Sequence, residues 1–150
     1  MTPTIYDAAG GMPALIDLAH AWHERVLADP VVSHAFSHGF HPQHTERLAA
    51  YWAEALGGPP AFSEALGNES TVLRMHAGNG EHTDMDERAI ACFDLALDDA
   101  KLPADPRLRA TLQAYFRWAT HRMAAYPASP NDVPRGLPVA RWSWEGPTEG

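Results

Sequence analysis

Apolar residues recur with a period near 3.6 along most of the chain, and few segments alternate with period two. That pattern predicts an all-α protein. Leu15, Leu18, Ala19, Trp22 and Val26 form the inward stripe of a first long helix starting near Pro13. Asp29-Pro30 ends it and offers a cap and a first-turn proline to a short helix running to about Phe36. Ser37 to Phe40 reads as a loop containing Gly39. His41-Pro42 opens a second long helix, with Leu48, Tyr51, Trp52 and Ala55 on one face, and Gly57-Gly58-Pro59-Pro60 stops it.

Ala61 to Gly80 is irregular and reads as a loop with a short helical piece leading to His76. Thr83-Asp84-Met85-Asp86 resembles a capping box. The helix it opens turns Ile90, Phe93, Ala96 and Leu97 inward. After the turn Leu102-Pro103-Ala104, Asp105-Pro106 starts a last long helix with Leu108, Leu112, Tyr115, Ala119 and Met123 inward. Beyond Tyr126 five prolines forbid a long helix. The expected organisation is one helical domain over residues 1–126, with an extension over 127–150 that docks through Trp142 or Trp144. Two long helices on each side of the irregular segment are compatible with a two-over-two helical sandwich.

The 150 residues suit a single domain. A net charge of −8 argues against a nucleic-acid partner, which needs clustered Lys and Arg. No apolar run reaches membrane-spanning length, and Met1-Thr2-Pro3-Thr4 carries no secretory pattern, so the expectation is a cytoplasmic protein without a membrane partner. A lone cysteine, Cys92, excludes an internal disulfide and reads as buried packing. No phosphate loop, serine elbow or carboxylate pair stands out.

The nine histidines are the chemistry worth weighing. His44 shares a helix face with Leu48, Tyr51 and Trp52, so it needs a hydrogen-bond partner or a ligand, or else touches water at the helix end. His23 flanks Ala19 and Val26 and reads as a partly exposed or hydrogen-bonded core side chain. His76 sits between an apolar lead, Val72-Leu73-Arg74-Met75, and a flexible exit, Ala77-Gly78-Asn79-Gly80. His34, His38 and His41 crowd one loop, but without Cys pairs a structural zinc site has little support. His20, His82 and His121 read as exposed.

Taken together, Tyr6-Asp7-Ala8-Ala9-Gly10-Gly11, Asp29-Pro30 with Phe36, Glu46-Arg47-Leu48 with Tyr51-Trp52, Leu56-Gly57-Gly58-Pro59, Phe62-Ser63-Glu64 and Leu73-Arg74-Met75-His76 resemble the group II truncated hemoglobins from Tyr6 to Tyr126. The resemblance implies a truncated globin fold and a haem b cofactor, iron protoporphyrin IX. It makes His76 the protein ligand to iron. Phe36, Leu48, Tyr51, Val72, Leu73 and Met75 would form the walls. Arg47 would pair with a propionate; its alternative is a surface pair with Glu46 or Glu54. His23, His44 and Trp52 would face the gas ligand. Four departures stand out: His23 replaces a common Tyr, His44 replaces a small residue, Ala89 stands where the family places a Trp, and Gly78-Asn79 replaces the Pro-Phe that often follows the histidine.

The implied function is reversible binding of dioxygen or another diatomic gas. The alternative is a haem enzyme with peroxidase-like or nitric-oxide-detoxifying activity, served by a possible reductase. A third reading is a helical protein that has lost haem. A monomer or a homodimer is equally compatible.

Overall fold

Short polar side chains set the helix starts. Thr4 accepts a hydrogen bond from Asp7 N at 3.0 Å and caps α1, Ile5–Ala9. Gly10, at φ +114°, closes α1 and leads directly into α2, Gly11–Ala28. A Cβ at Gly10 would lie 2.9 Å from that of Ala14, so the junction demands glycine. The Asp29 carboxylate accepts from Val31 N and Val32 N at 2.8 and 3.0 Å and caps the tight helical turn Val32–Phe36. These coordinates are a computed structural model describing residues 2–37, 39 and 41–148. The expected loop positions His38 and Phe40, and the tail end Glu149-Gly150, lie outside the described residues.

Helix α3 runs His44–Ala55 rather than from His41-Pro42. His41 Nδ1 accepts from Gln43 N at 3.0 Å, which folds the lead-in as a turn. A wide turn over Phe62–Leu66 then precedes α4, Glu69–His76, capped by the Asn68 side chain on Thr71 N at 2.9 Å. Helix α5, Thr83–Asp99, does not form the expected capping box. His82 occupies the cap position, and its Nδ1 lies 2.8 Å from Asp86 Oδ1, which leaves His82 half-buried rather than exposed. Helix α6, Pro106–Met123, starts as expected: the Asp105 carboxylate accepts from Arg107 N and Leu108 N.

The helices pack as α2 on α3 and α5 on α6, with α2 lying along α5. Leu15, Leu18, Phe93, Leu97, Leu108 and Leu112 are among the residues buried between them. Phe93 and Phe116 stack at 4.2 Å, and Trp52 meets both edge-on. The extension runs back over the body. Trp142 packs against Tyr115 and Trp118 at 5.6 and 5.8 Å. A small antiparallel ribbon follows, of β1, Trp142–Ser143, and β2, Gly146–Pro147. Trp144 Nε1 donates to Pro3 O at 2.8 Å, which joins the two ends of the fold.

Candidate functional site

Three rings meet where α2, the turn ending at Phe36 and the start of α3 converge. The His23 and His44 rings lie 4.9 Å apart, and Phe36 sits 5.2 and 5.1 Å from them. His23 is buried on α2, and His44 is half-buried at the first position of α3. Burial, with His20 nearby, holds His23 below the usual imidazole range. Burial also lowers His44, with His23 beside it, to about 4. At neutral pH His44 is therefore an uncharged ring with one N–H and one lone pair. His76, on α4, is among the groups that lower His44, after burial and His23.

His76 is exposed at the last position of α4. Its Nδ1 lies 2.8 Å from the carbonyl oxygen of Val72, one turn earlier. A carbonyl only accepts, so Nδ1 carries the proton and the lone pair of the neutral ring is on Nε2. Asn79 Nδ2 donates to His76 O at 3.1 Å and closes the helix end. Beside it Met75 is 73% exposed, against 44% for Leu27 and 48% for Leu95. Leu48 and Val72 are half-buried.

Four other residues expected at the site have packing or hydrogen-bond partners of their own. Tyr51 is buried, packs on Phe62 and donates its hydroxyl to Glu69 at 2.7 Å. Trp52 sits in the aromatic core with Trp22, Phe93 and Phe116. Leu73 is 1% exposed and packs with Ala77 and Val133. Arg47 pairs with neither Glu46 nor Glu54 and donates from Nη2 to Leu66 O at 2.6 Å. The Glu54 carboxylate instead accepts from Ser63 N and Oγ. Sequence reasoning missed Glu69 and Ser70, both buried polar residues on α4. Nothing in the local sequence marks them, because their partners come from distant segments. Among the described residues no cluster of three or more His, Cys, Asp or Glu is suited to a metal ion, and no helix is long and apolar enough to cross a membrane.

The family model described as bacterial-like globin matches residues 4–123. No curated protein matches the chain. Among solved structures, the hemoglobin of the thermophilic phototrophic bacterium Chloroflexus aurantiacus is 28% identical with a TM-score of 0.68, over 81% of this chain and 98% of that one. The thermostable hemoglobin of the actinobacterium Thermobifida fusca is 27% identical with a TM-score of 0.66, over 90% of this chain and 100% of that one. The group II truncated hemoglobin of Bacillus anthracis, 19% identical over 86% of this chain and 96% of that one, shares the fold with a TM-score of 0.72. The helical pairs, the histidines and these likenesses lead to one assignment: the chain belongs to the bacterial-like globin family and is a haem-binding, gas-binding globin of the truncated fold.

Proposed function

We propose that this globin holds haem b with His76 as the protein ligand to iron and binds dioxygen or a related diatomic gas beside His44 and His23. The observation that carries the proposal is the bond between His76 Nδ1 and Val72 O. It fixes the tautomer and leaves the lone pair on Nε2 for a metal. The surroundings fit the group. Haem is an apolar plate, and Met75, Val72, Leu48 and Phe36 present incompletely buried apolar surface close to the histidines.

When bound, haem would supply an iron able to take a diatomic gas. The chain's part is to hold one imidazole for the metal and others for the gas. His44 stays neutral, so it offers a hydrogen bond without bringing a charge into the pocket. Such a bond to a polarised ligand contributes about 1 kcal/mol or more. Arg47 is committed to the Leu66 carbonyl, so pairing with a propionate requires it to share or exchange that partner.

The test is haem loading of wild type and His76→Gly, with spectra of the ferrous forms with and without carbon monoxide. Wild type should give one Soret band that shifts with the gas. The variant should lose haem or ligand response and regain it with added imidazole. Identical spectra for the two proteins would overturn the assignment.

The adjacency of His23 and His44 favours one second reading. Two neutral imidazoles 4.9 Å apart can accept and return protons, as a peroxidase-like or nitric-oxide-detoxifying enzyme requires. That role needs an electron donor such as a reductase. Peroxide turnover with a reducing substrate, well above that of free haem, distinguishes it from gas binding alone.

A further inference from the structure

We infer that the C-terminal extension is a strap that positions the His76-bearing helix, with Glu69 and Ser70 as the positioning residues that receive it. The inference rests on His76 being the iron ligand. Helix α4 has only 8 residues. A helix that short is marginal by itself, so its direction depends on what it packs against. Its principal neighbours are the extension's turn at Pro130–Asp132 and α6.

The strap meets α4 along one face. The Ser70 hydroxyl, 2% exposed, donates to Pro134 O at 2.7 Å and accepts from Leu137 N at 3.0 Å. Arg74 Nη2 donates to Val133 O at 3.4 Å. Leu73, Ala77 and Val133 bury one another. Glu69 is fully buried, and its carboxylate joins three segments. Tyr51 of α3 donates to Oε1, Ala140 N of the strap reaches Oε2 at 3.3 Å, and Arg122 Nε of α6 lies 3.4 Å from Oε2. A buried charge is tolerated only with such partners, and removing one costs far more than the pair contributes.

The start of the strap, with Tyr126 just before it, also fixes the chain beyond His76. Gly78 N donates to Tyr126 O and Gly80 N to Pro127 O, each at 2.9 Å. His76 is therefore held from both sides. By helical spacing Val72, Met75 and His76 fall away from the face that carries Ser70, Arg74 and Ala77. The strap can orient the ligand histidine without touching it. The match to the bacterial-like globin family spans residues 4–123, so the strap lies outside the matched segment.

The test uses the full chain as wild type, Ser70→Ala and Glu69→Gln, loaded with haem. Three measurements are made: hydrogen exchange across the chain, the rate of haem transfer to an excess acceptor apoglobin, and the iron–imidazole stretching band. Ser70→Ala removes both hydrogen bonds of the hydroxyl and should speed exchange over residues 69–80 about thirtyfold, while residues 83–123 stay protected. Haem transfer should speed up several-fold and the stretching band should shift. Glu69→Gln keeps the shape and should show the same pattern. Unchanged exchange, transfer and band in both variants would overturn the strap, as would a uniform loss of protection across the chain. If the wild-type band is absent, the His76 assignment fails. Exchange of the haem-free chain then still decides whether the strap holds α4.

Discussion

The indole Nε1 of Trp22 donates to the carbonyl oxygen of Ala89 at 3.1 Å, which ties α2 to α5. Position 89 is where the family resemblance leads one to expect a tryptophan on α5. Here the residue is small, and the indole arrives from the facing helix. Trp22 packs against Ala89 near Val26, Val32 and Cys92 and also meets Trp52 and Phe116 at 6.2 and 5.6 Å. Aromatic volume is thus present beside position 89, on the other side of the helix interface.

Two substitutions check this exchange. Trp22→Phe removes the donor, but Ala89 O belongs to a helix and keeps its second lone pair in use. The expected loss is therefore at the low end, about 1 kcal/mol plus a small packing term. Ala89→Trp places a second indole where one already sits and should destabilise by about 1–3 kcal/mol. Urea unfolding of the haem-free proteins measures both. A neutral or stabilising Ala89→Trp would show that the space is still open.

The helices were legible because each carries its own signal. Leu15, Leu18, Ala19 and Val26 repeat on one face, and Asp105-Pro106 caps α6. The wide turn Phe62–Leu66 carries no such signal: neither its apolar nor its turn residues distinguish it from a loop. At Thr83 the pattern misled, because His82 pairs with Asp86 across the helix start and displaces the expected cap. His23, His44 and Phe36 were legible as a set only through the family resemblance. The partners of two expected wall residues were equally out of reach: Tyr51 bonds to Glu69, and Leu73 packs with Val133. Glu69 itself was invisible. A carboxylate at position 69 reads as a first-turn acid, and its strap partner Ala140 lies 71 positions away.

Trp142 anchors the extension, with 9% exposure and edge contacts to Tyr115 and Trp118. Trp142→Ala should cost about 3–5 kcal/mol if the surroundings fail to collapse into the gap. Trp144→Ala should cost less, because its indole is only half-buried, with one bond to Pro3 O and the Arg107 guanidinium over its ring at 4.8 Å. Denaturant midpoints compare the two. Equal and small effects would mean that the extension does not dock through Trp142.

His44 makes the stability of the haem-free chain depend on pH. The groups that act on it are His23, His41, Glu46 and His76, and burial outweighs them all. Its native pKa of about 4 lies below the value of about 6.5 for a free imidazole. As pH falls through 6.5 the unfolded chain binds the proton first, so stability is complete above that pH and declines progressively down to about 4. The upper bound of the loss at pH 5 is about 2 kcal/mol, reduced by partial exposure of the ring. Denaturation at pH 7 and pH 5 should show the fall, and His44→Leu should flatten it. A ring-proton titration placing His44 near 6.5 would contradict this account.

The join between α1 and α3 depends on the absence of a side chain at Gly58. Gly58 N donates to Ala53 O at 2.7 Å, and Tyr6 N donates to Leu56 O at 3.0 Å. A Cβ at position 58 would lie 2.8 Å from Ala53 O and 2.7 Å from Tyr6 Cδ2. The tyrosine can rotate away, but the carbonyl cannot move without opening the last turn of α3. Gly58→Ala should therefore destabilise by about 1–3 kcal/mol, and the added change Tyr6→Leu should recover only part of it. At Gly136, where a Cβ meets nothing within 4 Å, the cost of alanine is confined to its φ of +73°, about 1–2 kcal/mol. Thermal unfolding of the three variants separates steric from conformational cost. Full recovery by Tyr6→Leu would place the clash on the ring and not on the backbone.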